Sequence, residues 1–272
     1  MSFKIADAGW TLAVIAFIWS TGAWCDSQDQ TDIQDSVVRY KSAIQANPKN
    51  PLNHVRLGRV YLMSGNIDGA IDQFRATIKL DANNAEAYTG LGRAYIHKRE
   101  YNDAIASLKT AIKLDSSNAD NHHRLGQVLT KQQKNDQAIA EFQKCIQLDP
   151  ANEAAHRDLG AALGLAGNLN KQVEEEKRAI ELSPKDADAQ FYLGTAYAEL
   201  GNTKDAITAL KTCTALDGKN GDAYRFLASV YAASGNFPDA VQCAQTAVQL
   251  EPSNPAFQLT LQKIKAAAAK NK

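Results

Sequence analysis

Histidine and cysteine are the side chains of this chain that could ligate a metal or serve as base and nucleophile, and their spacing argues against each role. His122 and His123 look like a metal pair, but adjacent residues on a helix point about 100° apart and cannot share an ion. The four cysteines, Cys25, Cys145, Cys213 and Cys243, form no C-x-x-C pair and match no zinc spacing. They are too few in too long a chain for a disulfide framework, so small buried apolar residues are the default reading for the last three. Ser, His and Asp occur without a nucleophile motif, and there is no glycine-rich phosphate loop. The expectation is a protein that is not an enzyme, with no metal and no cofactor. Thirty basic residues balance thirty acidic ones, so no global field draws the chain to nucleic acid.

The first thirty residues are of another kind. Lys4 precedes an uncharged run from Ala8 to Trp24, and the small residues Ser20 to Ala23 close it. A basic start, an apolar centre and a small-residue exit describe a secretory signal peptide. As a helix the run would be about 25 Å long, short of the roughly 30 Å hydrocarbon core. Asp7 offsets Lys4, however, and Trp10, Trp19 and Trp24 could sit at the interfaces of an uncleaved anchor, so both readings stand beside that of a buried helix. Lipid attachment at Cys25 fits poorly, because Trp24 stands where a small residue is wanted. Asp26, Asp29, Asp32 and Asp35 follow the run, and no Lys or Arg follows it before Arg39. By the positive-inside rule the body of the protein is exported, periplasmic or otherwise extracytoplasmic, and could be anchored by this segment.

The elements that position every other side chain are set by a repeat. Leu57-Gly58, Leu91-Gly92, Leu125-Gly126, Leu159-Gly160, Leu193-Gly194 and Leu227-Ala228 recur every 34 residues without insertion. Tyr61, Tyr95, Leu129, Leu163, Tyr197 and Tyr231 follow three residues after each small residue. Ala70, Ala104, Ala138, Ala206 and Ala240 come later, then Phe74, Leu108, Phe142 and Leu210. Apolar residues at three- and four-residue intervals share one face of a helix. Asn50, Asn84, Asn118, Asn152, Asp186, Asn220 and Asn254 are suited to N-caps, and Gly65, Gly167, Gly201 and Gly235 to left-handed C-caps. Each unit reads as helix, tight turn, helix.

These residues resemble the tetratricopeptide repeat family, in six units over 51–254: 51–84, 85–118, 119–152, 153–186, 187–220 and 221–254. Residues 1–24 read as the signal or anchor, 25–30 as a linker, 31–50 as a partial repeat, and 255–272 as a capping helix and tail. The resemblance implies an all-α solenoid, a right-handed superhelix whose first helices line a concave groove for peptides or partner helices. It places His54, His122 and His156 at the large packing position before Leu-Gly, and Cys145 and Cys213 at the small position of the second helix.

Carrying over the family's groove positions puts Arg59, Arg93, Gln127 and Ala161 in one row and Val55, Thr89, His123 and Arg157 in the next. Arg56, His97, Arg124 and Lys131 border them, so repeats one to four read as basic inside, suited to an acidic segment or a chain-terminal carboxylate. The alternative is that these cations pair with carboxylates on neighbouring helices and leave no net field. Phe191, Tyr192, Arg225 and Phe226 make the last two repeats aromatic, as an anchoring pocket or as core. Charge reversal at Arg93 and Arg157 is expected to weaken ligand binding in a salt-dependent way. The family's carboxylate clamp is not matched: of its positions, held here by Val55, Arg59, Gly90, Asp120 and Arg124, only Arg124 fits.

Repeat four departs from the pattern, with Gln172 for Ala, Glu176 for an aromatic or Leu, and Gly164 expected to loosen the first helix. Glu176 is expected to be partly exposed or paired with a base, since a buried lone carboxylate is costly. This repeat should be the least stable and act as a hinge. The implied function is a non-enzymatic scaffold binding a protein or peptide outside the cytoplasm. A membrane-tethered assembly factor for an envelope or pilus-type complex, and a regulatory subunit of a separately encoded enzyme, are the alternatives.

Overall fold

The computed structural model describes residues 31–271, so the readings placed on 1–30 lie outside the described residues. Among the described residues every regular element is helical. Helix α1 covers 31–46, and the chain then folds as two compact units that meet in sequence at Ser116 and Ser117. Unit 1 adds two hairpins, α2 (Pro51–Met63) with α3 (Ile67–Leu80) and α4 (Ala85–Lys98) with α5 (Tyr101–Leu114). Unit 2 has four: α6 (Ala119–Lys131) with α7 (Asn135–Leu148), α8 (Glu153–Leu165) with α9 (Leu169–Leu182), α10 (Ala187–Glu199) with α11 (Thr203–Leu216), and α12 (Gly221–Ala233) with α13 (Phe237–Leu250). Helix α14 (Pro255–Lys270) packs on α12 and α13 and closes that unit. No described helix is long and apolar enough to cross a membrane.

Local chemistry sets these boundaries. Asn84, Asn118, Asn152, Asp186 and Asn220 each accept a hydrogen bond from the backbone N–H three residues on, and Asn50 and Asn254 from that two residues on. Such a cap contributes about 1 kcal/mol. Four first helices turn back at Gly65, Gly167, Gly201 and Gly235, with φ between 76° and 81°. In repeats two and three Arg99 and Gln133 take the left-handed conformation instead, at φ 59° and 60°. That is a strained choice for a residue with a Cβ.

Packing within each hairpin is a knob against a small residue. Phe74 is fully buried with its ring against Gly58, where a Cβ would come within 2.8 Å of Cε1. Leu108 fills the same place against Gly92, Phe142 against Gly126 and Leu210 against Gly194, while Phe257 of α14 lies against Gly221 at the start of α12. The Leu-Gly pair therefore has a steric cause: the glycine admits the knob of the following helix. Each buried Phe or Leu contributes about 1.5–3 kcal/mol.

Repeat four puts a carboxylic acid in the knob position. Glu176 is 0% exposed against Gly160, and neither carboxyl oxygen has a hydrogen-bond partner. The expectation that it would be partly exposed or paired is corrected: the 34-residue register fixes its place, and the group avoids the desolvation cost by holding its proton. Burial first, then the nearby Asp186, pushes its pKa up to about 10. Gln172, one turn earlier, is also buried and donates from Nε2 to the Tyr192 carbonyl at 3.1 Å. Gly164 is an unbroken part of α8, and the Gln172 amide occupies the space its Cβ would need.

Candidate functional site

First helices pack on first helices in both units, α2 with α4, and α6, α8, α10 and α12 in sequence, so their outward positions form a continuous face within each unit. In unit 1 that face is basic. Helix α2 carries Arg56 and Arg59 and no carboxylate, while α4 carries Arg93 and Lys98 with Glu86 as its one acid. Arg59 Nη1 donates to Glu86 at 3.0 Å, an exposed pair whose contribution is small. Lys98 bridges Asp68 and Glu100 at 3.2 and 3.1 Å. Arg56 and His97 are exposed. Arg59 and Arg93 stand one repeat apart, so their guanidinium groups are presented from equivalent places on adjacent helices.

In unit 2 the alternative of internal neutralisation describes what is found. Arg124 Nε donates to Asp120 at 2.7 Å, and Arg157 Nη1 donates to Asp186, the N-cap of α10, also at 2.7 Å. His123 Nε2 and Gln127 Nε2 both reach Asp158, at 2.9 and 2.8 Å, and Arg157 Nε lies 3.5 Å from its other oxygen. Burial would raise the Asp158 pKa, but the bonds from His123 and Gln127 and the Arg157 charge hold it below the ordinary carboxylate range. Burial likewise opposes the Arg157 charge, yet the bond to Asp186 and the charges of Asp158, Asp186 and Asp188 raise its pKa. Lys131 is exposed at the end of α6. Repeats three and four are thus not a basic surface: each arginine is answered by a carboxylate at 29 residues or fewer along the chain.

Repeats five and six carry the aromatic part. Phe191 and Phe226 meet edge to face with centroids 5.4 Å apart, and Phe191 meets Tyr192 at 5.6 Å. All three are half-buried, and Phe191 and Phe226 rest on the core of Ala206, Leu210, Leu227 and Val230. Arg225 stacks on Phe226 at 4.4 Å and donates from Nη2 to Asp222 at 2.9 Å. The structure therefore brings Phe191, Tyr192, Arg225 and Phe226 together, each with a core-facing and a solvent-facing part.

The remaining histidines are braces between paired helices. His122 Nδ1 lies 2.7 Å from the Glu141 carboxylate, His156 Nδ1 2.6 Å from Glu175, and His54 Nδ1 2.9 Å from Gln73 Oε1. The common 19-residue separation joins first helix to second and was a signal available in the sequence. Asp158 and Asp188 were missed as site residues; they stand 34 residues from Arg124 and Asp222, and those offsets place them on the first-helix face. Cys145 and Cys213 are buried, and burial foremost pushes both thiols up to about 11. Among the described residues no group of three or more His, Cys, Asp or Glu could hold a metal ion.

Stacked first helices, with arginines on those of unit 1 and aromatic rings on those of the last repeats of unit 2, define a class: the all-α helical-hairpin repeat protein. Family comparison agrees on the class. Tetratricopeptide repeat descriptions match residues 28–84, 55–119, 126–167, 177–208 and 199–264, and the chain belongs to the tetratricopeptide repeat family. No curated protein matches the sequence. Among solved structures it is similar to YrrB, described as a TPR protein with an unusual peptide-binding site, at TM-score 0.61 and 23% identity over 68% of this chain and 95% of that one. It is similar to MamA at TM-score 0.57 and 28% identity, over 61% and 97%. It is also similar to PilF of Pseudomonas aeruginosa at TM-score 0.69 and 18% identity, over 79% and 96%. These likenesses establish the all-α solenoid fold.

Proposed function

We propose that the protein is a non-enzymatic scaffold that binds peptide or protein segments on its first-helix faces, outside the cytoplasm. The observation that carries the reading is the face of α2, where Arg56 and Arg59 are exposed and the helix bears no carboxylate of its own. Guanidinium forks on adjacent helices suit carboxylates, so the ligand of unit 1 is an acidic segment or a chain-terminal carboxylate. The double variant Arg56→Glu, Arg93→Glu is expected to weaken binding of a fluorescein-labelled glutamate-rich peptide by about tenfold at low salt, with a smaller difference at high salt. Anisotropy titrations at two salt concentrations read this, with circular dichroism confirming unchanged helicity. Equal affinities for variant and wild type would remove the reading. Arg157 is unsuited to the same test, because reversing it would break a partly buried network as well as a surface.

Export is supported by the uncharged run from Ala8 to Trp24 and the acidic stretch after it. The three tryptophans at 10, 19 and 24 also favour a second reading, an uncleaved anchor that tethers an assembly factor to a membrane. Cleavage near Ala23 leaves at most one tryptophan, so the intact mass of protein recovered from its native compartment separates the two. A full-length mass together with a cytoplasmic location would contradict both.

A further inference from the structure

Repeat six holds its own guanidinium in an acid-and-aromatic niche. Asp222 and Arg225 pair at 2.9 Å, and the Arg225 guanidinium carbon lies over the Phe226 ring, 4.4 Å from its centroid. One repeat earlier, the same three places hold Asp188, Phe191 and Tyr192. The acid and the aromatic are kept, and a phenylalanine stands where the arginine would be. Asp188 is exposed and makes no hydrogen bond or ion pair among the described residues. We infer that this place on α10 takes an arginine side chain from a bound partner segment, seated between Asp188 and the ring of Tyr192 with Phe191 and Phe226 as its wall.

The surroundings favour a cation there. Asp158, Asp186 and Asp188 border the niche, and Arg157 is the one arginine or lysine on α8 and α10 that answers them, with His123 reaching Asp158 from α6. Behind them Glu176 is wholly buried and holds its proton, so it adds no charge to the niche. A guanidinium gains from stacking on an aromatic face and from a nearby carboxylate together, and the geometry at Arg225 and Phe226 shows that this surface accepts one. The inference rests on the reading that first-helix faces bind partner segments, but it assigns unit 2 a ligand of opposite sign to that of unit 1.

The test uses two fluorescein-labelled octapeptides in a Gly/Ser background, one with two arginines and one with two glutamates in their place. The arginine peptide is expected to bind, and Asp188→Asn and Tyr192→Ala are each expected to weaken it by about five- to tenfold. Asp188→Lys should abolish it. Asp188 is exposed and Tyr192 half-buried, so circular dichroism and thermal unfolding check that each variant stays folded. No binding of the arginine peptide, equal binding by wild type and Asp188→Lys, or a gain of arginine-peptide affinity in that variant overturns the inference. The glutamate peptide reports on unit 1 separately, so failure of the arginine niche and failure of the acidic-segment reading are told apart.

Discussion

Replacing Glu176 by leucine is expected to stabilise unit 2 by about 3 kcal/mol at pH 7 and to remove most of its pH dependence between pH 5 and 7. The group is an acid whose folded pKa, about 10, lies above its unfolded value of 4.5. Its contribution is therefore fully present below about pH 4.5 and is lost as pH rises toward the folded value. Across that window the loss is about 1.4 kcal/mol per pH unit, so wild type should lose roughly 3 kcal/mol between pH 5 and 7 from this residue. Leucine adds burial of the kind that Leu108 and Leu210 supply in repeats two and five. Urea unfolding of wild type and Glu176→Leu at both pH values gives the difference. Asp158 runs the other way, since its lowered pKa gives stability that is lost only as pH falls through the acid range, below this window. Parallel pH profiles for variant and wild type would mean that Glu176 is not buried as a neutral acid. Hydrogen exchange gives the local version: α9 opens more readily than α7 or α11 at pH 7, and Glu176→Leu closes the gap.

The second large effect separates core aromatics from surface ones. Phe142 is 1% exposed against Gly126, with the His123 ring 5.8 Å away, and Phe142→Ala is expected to cost about 3–5 kcal/mol. Phe226 is half-buried, and Phe226→Ala should cost only about 1–2 kcal/mol, because less apolar area is returned to water. Thermal or urea unfolding of the two variants reads the contrast. Equal losses would make the aromatic wall of repeats five and six part of the core, and would take away its exposed face as an anchor.

The hairpins, caps and turns were legible in the sequence because their causes are local. Asn152 caps α8 by bonding the N–H of Ala155, and Leu159-Gly160 marks the small side of a knob contact, each within one helix. The 34-residue register then extends both to every repeat. What escaped is what depends on side chains meeting across repeats. Arg157 reaches Asp186 over 29 residues, and His123 reaches Asp158 over 35, so composition and periodicity show the cations without their partners. The basic character expected of repeats three and four disappears for that reason, while α2, with Arg56 and Arg59, carries no acid of its own. Glu176 was misread through a sound rule applied to the wrong protonation state. A buried carboxylate is costly, and the chain meets that cost by keeping the carboxyl neutral rather than by exposing or pairing it.

The central claim is that first-helix faces, and not the second helices, hold the partner. It is tested most directly by mapping amide chemical shifts of residues 31–271 during titration with the glutamate and arginine peptides. The glutamate peptide is expected to move resonances of α2 and α4 around Arg56, Arg59 and Arg93, and the arginine peptide those of α10 and α12 around Asp188, Tyr192 and Phe226. Shifts confined to α3, α5, α9, α11 or α13, or none at saturating peptide, would contradict it.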